Sequence, residues 1–175
     1  MTTDPRTRQE AGYRKGHHRP ELPMSETIYD ALHESHEIQR TLCRQLLRAG
    51  PGDPRRQELA RQLRIELAAH AAAEERFLYA PILMDDMGLD ASRHALSEHH
   101  EIDERVENLA AADPHTSSWI ARARSLCEEV HHHLREEEKK FFQVSGKILS
   151  EAQKKMMARH YRADYARMHE KLRNG

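Results

Sequence analysis

The chain has 175 residues, of which 33% are charged and 38% are hydrophobic, with 28 lysines and arginines against 29 aspartates and glutamates. This balance predicts neither a basic surface for nucleic acid nor an acidic tail. Aromatic residues make up only 5% of the chain, and glycine and proline number seven each. Together with apolar residues at three- and four-residue spacing, these values argue against an all-β fold and predict an all-α domain.

The expected cellular location and the expected role of the cysteines follow from sequence features that are absent. No apolar run approaches the roughly 20 residues of a membrane span, and the first 20 residues have no apolar core of a secretory signal. We therefore expect a cytoplasmic protein without a membrane partner. Cys43 and Cys127 match no metal or redox spacing and are expected to be buried as small hydrophobic side chains.

The predicted elements begin after a polar segment. Residues 1–23 have no periodicity and are interpreted as a flexible arm, whose His17 and His18 would be solvated. Helical periodicity then predicts four amphipathic helices at about residues 25–48, 54–84, 91–112 and 118–145. Ser25, Asp53 and Asp90 are the expected N-caps of the first three. Short turns between helices of similar length favour an up-down-up-down antiparallel bundle over residues 24–148.

A fifth helix is predicted at about residues 151–173, within a C-terminal segment of residues 149–175. Ser150 and Gln153 have the spacing of a capping box at its start. This helix is expected to pack outside the four-helix bundle or to form an oligomer contact, which leaves a monomer and a homodimer both open.

Histidine is abundant: 14 are present, ten of them between His33 and His133. Each bundle helix carries one at the centre of its apolar stripe, and two helices add a glutamate four residues later on the same face. The resulting set is His36, His70, Glu74, His99, His133 and Glu137. Glu66, Asp103 and His100 lie near these positions and are possible additional ligands.

Burying four imidazoles and two carboxylates without compensation would cost several kcal/mol per group. A metal ion removes that cost, because it requires neutral imidazole and ionised carboxylate. Six ligands exceed a mononuclear tetrahedral site, and mixed nitrogen and oxygen ligation without thiolate suits iron, with manganese or zinc as alternatives. The order His-x-x-x-Glu differs from the Glu-x-x-His of ferritin-like proteins. The pattern therefore predicts a di-iron centre in another type of bundle.

Four motifs in this order resemble the haemerythrin-like HHE cation-binding family. They are His36, His70-x-x-x-Glu74 followed by EERFLYAP, Glu98-His99-x-x-Ile102, and His133-x-x-x-Glu137 within EEEKKFF, over roughly residues 26–146. The resemblance implies a non-haem centre of two iron ions, oxo- or hydroxo-bridged. Its protein ligands would be His36, His70, Glu74, His99, His133 and Glu137. It also implies the binding or sensing of O2, NO, iron or redox state.

The sequence departs from that family at two positions. Haemerythrins of the family's best-known type have a second histidine one turn along the third helix, where this chain has Asp103. Gln143 replaces a proline that commonly follows the last motif. Two other functions stay open: a di-iron enzyme acting on O2 or peroxide, with Tyr29, Tyr79 or Tyr161 nearby, and a structural bundle clamped by its metal. No general acid, nucleophile or substrate-pocket motif favours an enzyme.

Overall fold

The computed structural model describes residues 26–50 and 52–175, and every regular element within them is helical. The predicted arm of residues 1–23 lies outside the described part. The α-helices are α1 (Ile28–Arg48), α2 (Arg56–Glu74), α3 (Ala80–Leu83), α4 (Leu89–Ala110), α5 (Ser117–Glu136), α6 (Phe142–Ile148) and α7 (Glu151–Asn174). Two π-helical turns, Glu75–Tyr79 and Glu137–Phe141, join α2 to α3 and α5 to α6.

The prediction of an all-α bundle with an additional C-terminal helix is confirmed. Helix α1, the continuous α2–α3 segment, α4 and the continuous α5–α6 segment are the four long members, and short turns connect them in sequence. Contacts between α1 and α2, between α4 and α5, and between α1 and α5 close the bundle. None of the helices in residues 26–50 and 52–175 combines the length and the apolar composition of a membrane span.

The helix starts follow local capping chemistry. Thr27, not Ser25, caps α1, in a capping box with Asp30, and the predicted box of Ser150 and Gln153 is confirmed at α7. The predictions that Asp53 caps α2 and that Asp90 caps α4 are wrong. The carboxylate of Asp53 accepts from the backbone N–H of Arg55 in the turn before α2, and Asp90 lies inside the first turn of α4.

Each π-helical turn shifts the buried face by one residue. The backbone N–H groups of Ala80 and Phe142 donate to carbonyls five residues back, so each turn holds one residue more than an α-helix would. A regular 3.6-residue stripe that continued through these turns would place Phe77, Val144 and Ile148 on the inner side. The structure instead buries the residue after each of them, namely Leu78, Ser145 and Leu149.

Two apolar clusters fill the bundle and leave a polar layer between them. One contains Leu32, Leu78 and Tyr79, and the other contains Leu67 and Leu126. Cys43 and Cys127 belong to the second cluster, where both are buried with free thiols, as the sequence predicts. The histidines at the centres of the stripes lie between these clusters, so water is excluded from them on both sides.

Helix α7 packs along α1 and α2 rather than extending away from the bundle. Arg162 of this helix forms an ion pair with Glu26 at 2.6 Å. Tyr165 and His169 both hydrogen-bond to the buried carboxylate of Glu66, at 2.7 Å to the same oxygen. These polar contacts fix α7 over the side of the bundle where α2 carries His70.

Candidate metal centre

The structure brings the six predicted ligand side chains together in one buried cluster. All of them are at most 5% exposed: His36, His70, Glu74, His99, His133 and Glu137. Their atoms approach closely, with His70 Nε2 at 3.1 Å from Glu74 Oε2 and His36 Nε2 at 3.2 Å from Glu137 Oε2. The four bundle members therefore contribute to one site.

The cluster divides into two overlapping groups, in each of which one atom per residue lies within 4.8 Å of the others. One group joins His70, Glu74, His99 and His133, and the other joins His36, His70, Glu74 and Glu137. His70 and Glu74 are common to both groups, and Oε2 of Glu74 is also 3.5 Å from His99 Nε2. A carboxylate in this position can bridge two ions.

All four imidazoles use Nδ1 for a partner outside the cluster. His36 contacts Glu138 at 2.8 Å, His99 contacts Glu75 at 2.9 Å and His133 contacts Glu98 at 3.0 Å. His70 contacts Ser35 Oγ and Tyr161 Oη, both at 2.9 Å. A partner that accepts from Nδ1–H leaves the lone pair of Nε2 for a metal. These hydrogen bonds at Nδ1 therefore orient each imidazole for ligation of a metal through Nε2.

Sequence reasoning missed these outer partners, although a signal was present. Glu75 and Glu138 each follow directly after the glutamate of a His-x-x-x-Glu pair. In the structure each reaches a histidine on another helix. The repeated Glu-Glu dipeptide was the signal. The contact of Tyr161 with His70 had no comparable signal, because it depends on where α7 packs.

Buried polar atoms without partners show that the residues present fit a cation. Within the described residues, Nε2 of His36 and of His70, both carboxylate oxygens of Glu74, and Oε2 of Glu137 make no hydrogen bond. Each such atom costs about 1–3 kcal/mol when left unpaired. One or more cations at the centre of these atoms would satisfy all of them together.

Burial and neighbouring charges together determine the pKa values of the clustered side chains. Burial lowers the pKa of His70 to about 4. Burial also lowers the pKa of His133. It acts the same way on His36 and His99, but adjacent carboxylates outweigh it there and raise the pKa of His36 to about 9 and that of His99 to about 10. Burial and the charge of Glu74 raise the pKa of Glu137 to about 8. Without a cation, the cluster therefore carries protons at neutral pH.

The pKa of Glu74 moves the opposite way. Burial would raise it, but the contacts with His70 and His99 hold it well below its usual value. Tyr79 lies next to this carboxylate pair and donates to Glu137 Oε1 at 3.0 Å. Burial and both carboxylates raise the pKa of Tyr79, so the phenol stays protonated and able to donate.

The structure does not bring the three additional candidates into the cluster. Glu66 is buried but turns toward Tyr165 and His169. Asp103 is exposed, and it lies only at the edge of a small cavity beside the cluster. His100 is exposed and lies 3.5 Å from Glu104 on the outer face of α4. The helical face therefore distinguishes His99 from His100, as the sequence predicted.

Comparison with known proteins places this geometry in a family. Residues 27–145 match the family described as Hemerythrin HHE cation binding domain. The fold is similar to the crystal structure of a haemerythrin HHE cation binding domain-containing protein from Mycobacterium kansasii, with a TM-score of 0.75 and 20% identity, over 83% of this chain and 89% of that one.

A curated relative is similar over much of the same region. The chain is 28% identical over 146 residues to a protein named DNA nickase from Nostoc sp., covering 83% of this chain and 41% of the relative. The chain thus spans less than half of that relative's length. The family match extends over most of the bundle and includes all six clustered side chains. The chain belongs to the haemerythrin HHE cation-binding domain family.

Proposed function

We propose that this protein holds two non-haem iron ions in the buried cluster and binds or senses a small molecule there, O2 or NO being the best candidates. The observation that carries the proposal is the convergence of four imidazole Nε2 atoms on two buried carboxylates. His36, His70, Glu74, His99, His133 and Glu137 would be the protein ligands. Mixed imidazole and carboxylate ligation suits iron, while manganese or zinc would be the alternatives.

Iron held by these residues would supply redox chemistry and free coordination positions for a small ligand. The chain's own residues determine what reaches it. A cavity of about 10 Å³ adjoins the cluster, between Gln39, Leu67 and Ile102. That volume is about the space of one water molecule. The site therefore favours a diatomic ligand over an organic substrate.

Tyr79 is the residue through which an enzymatic alternative would act. Its phenol lies in the cluster and can hold a proton at Glu137 Oε1, which suits an enzyme that consumes peroxide. The third alternative is a bundle that the metal only clamps. Redox-inactive zinc with no free coordination position would favour that function.

The DNA-nicking activity named for the Nostoc relative is not part of the proposal. Phosphate binding depends on clustered lysine and arginine, whereas this chain has a formal net charge of −1. The relative also has a large region that this chain does not match. We accordingly propose a small-molecule ligand rather than a nucleic acid.

The test is optical spectroscopy of the chemically reduced, iron-loaded protein exposed separately to O2, to NO and to hydrogen peroxide. We expect charge-transfer bands that appear with the diatomic ligand and disappear when it is removed. Continuous peroxide consumption that Glu74→Ala abolishes would favour the enzyme instead. An unchanged spectrum with every ligand would contradict the proposed function.

A further inference from the structure

A second group of histidines and glutamates lies outside the buried cluster, on the faces that α4 and α5 turn toward each other. His94 and Glu98 are four residues apart on α4, and His132 and Glu136 are four residues apart on α5. Each pair repeats the His-x-x-x-Glu spacing of the inner site, which places imidazole and carboxylate on one face of a helix. The four residues were not among the sequence-predicted ligands.

Glu98 is the centre of this outer group. Its side chain is only 7% exposed, and Oε2 accepts from Nδ1 of His133, an inner ligand, at 3.0 Å. The other oxygen, Oε1, is buried and makes no hydrogen bond among the described residues. An ionised carboxylate oxygen left in that state requires a positive partner or a donor.

Two imidazoles face that oxygen. His94 Nε2 is 3.5 Å from Glu98 Oε1 and His132 Nε2 is 3.6 Å from it, and these histidine side chains are 64% and 52% exposed. Neither contact is a hydrogen bond. Two ligand atoms bound to one tetrahedral ion at about 2.1 Å each lie about 3.4 Å apart. Each separation from the carboxylate oxygen therefore matches ligands of a common ion. The two Nε2 atoms themselves lie more than 4.8 Å apart, so the exposed imidazoles must rotate toward each other to complete the geometry.

The surroundings of the group also favour a cation. A pocket of about 110 Å³ is lined by His94, Glu98 and Glu136, and its inner wall includes Glu137 of the buried cluster. Glu136 adds negative charge at the rim and pairs with Lys140, which a cation could displace. The pocket thus connects the exposed imidazole of His94 with the outside of the inner site.

We propose that His94, Glu98 and His132 form a separate site for a divalent transition-metal cation such as Zn²⁺. Two imidazoles and one carboxylate are the ligand set of many three-ligand zinc sites, with water or Glu136 in the fourth position. The site is independent of which metal the inner cluster holds.

The test uses the full chain and Zn²⁺ alone as the probe. Wild type, the double variant His94→Ala/His132→Ala and the variant His100→Ala are dialysed against the same small molar excess of zinc chloride, and metal bound per chain is counted. His100 is the matched control, because it forms the same exposed i,i+4 contact at 3.5 Å with Glu104 on the same helix. However, no second imidazole among the described residues approaches that carboxylate.

We expect wild type and His100→Ala to bind one zinc ion more per chain than the double variant, with the same content of inner metal in all three. Zinc anomalous diffraction of the soaked wild type should place that ion beside Glu98 Oε1. Equal zinc content in the three proteins would overturn the proposal, as would an additional ion located elsewhere. Both altered histidines are exposed, so the variants should keep the unfolding temperature of the wild type.

Discussion

Tyr161 offers the sharpest test of how helix α7 takes part in the metal centre. Its hydroxyl lies 2.9 Å from His70 Nδ1 and 2.8 Å from Ser35 Oγ, and the ring is fully buried. Ser35 in turn donates to the carbonyl of Leu32. In this network Nδ1–H of His70 has two oxygen acceptors, which leaves Nε2 without a proton and directed at Glu74.

The change Tyr161→Phe removes one of those two acceptors and keeps the ring packing. The lost hydroxyl should lower the free energy of unfolding by about 1–3 kcal/mol, the usual cost of disrupting a buried hydrogen bond. Loss of an outer partner of a metal-binding histidine typically costs 10–100-fold in affinity. Because Ser35 remains as an acceptor, we expect the low end, a weakening of about 10-fold, or roughly 1.4 kcal/mol.

The assay is competition for metal against a chelator of known affinity, with thermal unfolding of the metal-free protein measured in parallel. Tyr29→Phe is the matched control. Tyr29 also shares a hydrogen bond with a serine, Ser145 at 2.9 Å, but makes no hydrogen bond to a predicted ligand. Tyr29→Phe should reduce stability without changing metal affinity. Equal metal affinity in wild type and Tyr161→Phe would refute the orienting role of this phenol.

Three further predictions concern the cluster and the turn before α4. His70→Ala should reduce bound metal to below one ion per chain by elemental analysis, while His131→Ala, off the ligand face, should match wild type; equal losses would contradict the assignment. Gly88→Ala should lower the unfolding temperature by several degrees, because its new Cβ would lie 2.4 Å from the Ile82 carbonyl oxygen at a cost of about 1–3 kcal/mol. Gly50→Ala, with nothing within 4 Å, should not. Finally, metal binding at pH 7 should release protons and strengthen as pH rises, because groups in the cluster with pKa values raised to about 8, 9 and 10 are protonated without metal. Calorimetric heats that do not depend on the buffer's ionisation enthalpy would contradict this.

The sequence could predict the fold because its main signal was periodicity. Regular 3.6-residue spacing put His36, His70, His99 and His133 on buried stripes, and the structure buries all four. The same spacing separated His99 from its neighbour His100, because two adjacent residues lie about 100° apart on a helix. Such statements need only the geometry of one helix at a time.

What could not be predicted depended on departures from regular helix or on packing between distant segments. The π-helical turns moved the buried positions by one residue, to Leu78 and Leu149. The periodic pattern of apolar residues in the sequence does not indicate that such a turn adds one residue. The contacts of Tyr161 with His70 and of Tyr165 with Glu66 join residues more than 90 positions apart. Only the docking of α7 on α2 determines them.

The measurement that tests the central claim most directly is the metal content of the purified wild-type protein, expressed with sufficient iron and counted against protein concentration. Four imidazole nitrogens and four carboxylate oxygens are eight donor atoms, more than the six that one octahedral ion accommodates, and Glu74 belongs to both groups of the cluster. The ligand set therefore predicts about two iron ions per chain in the inner cluster. Protein that is correctly folded but contains no bound metal would contradict the account.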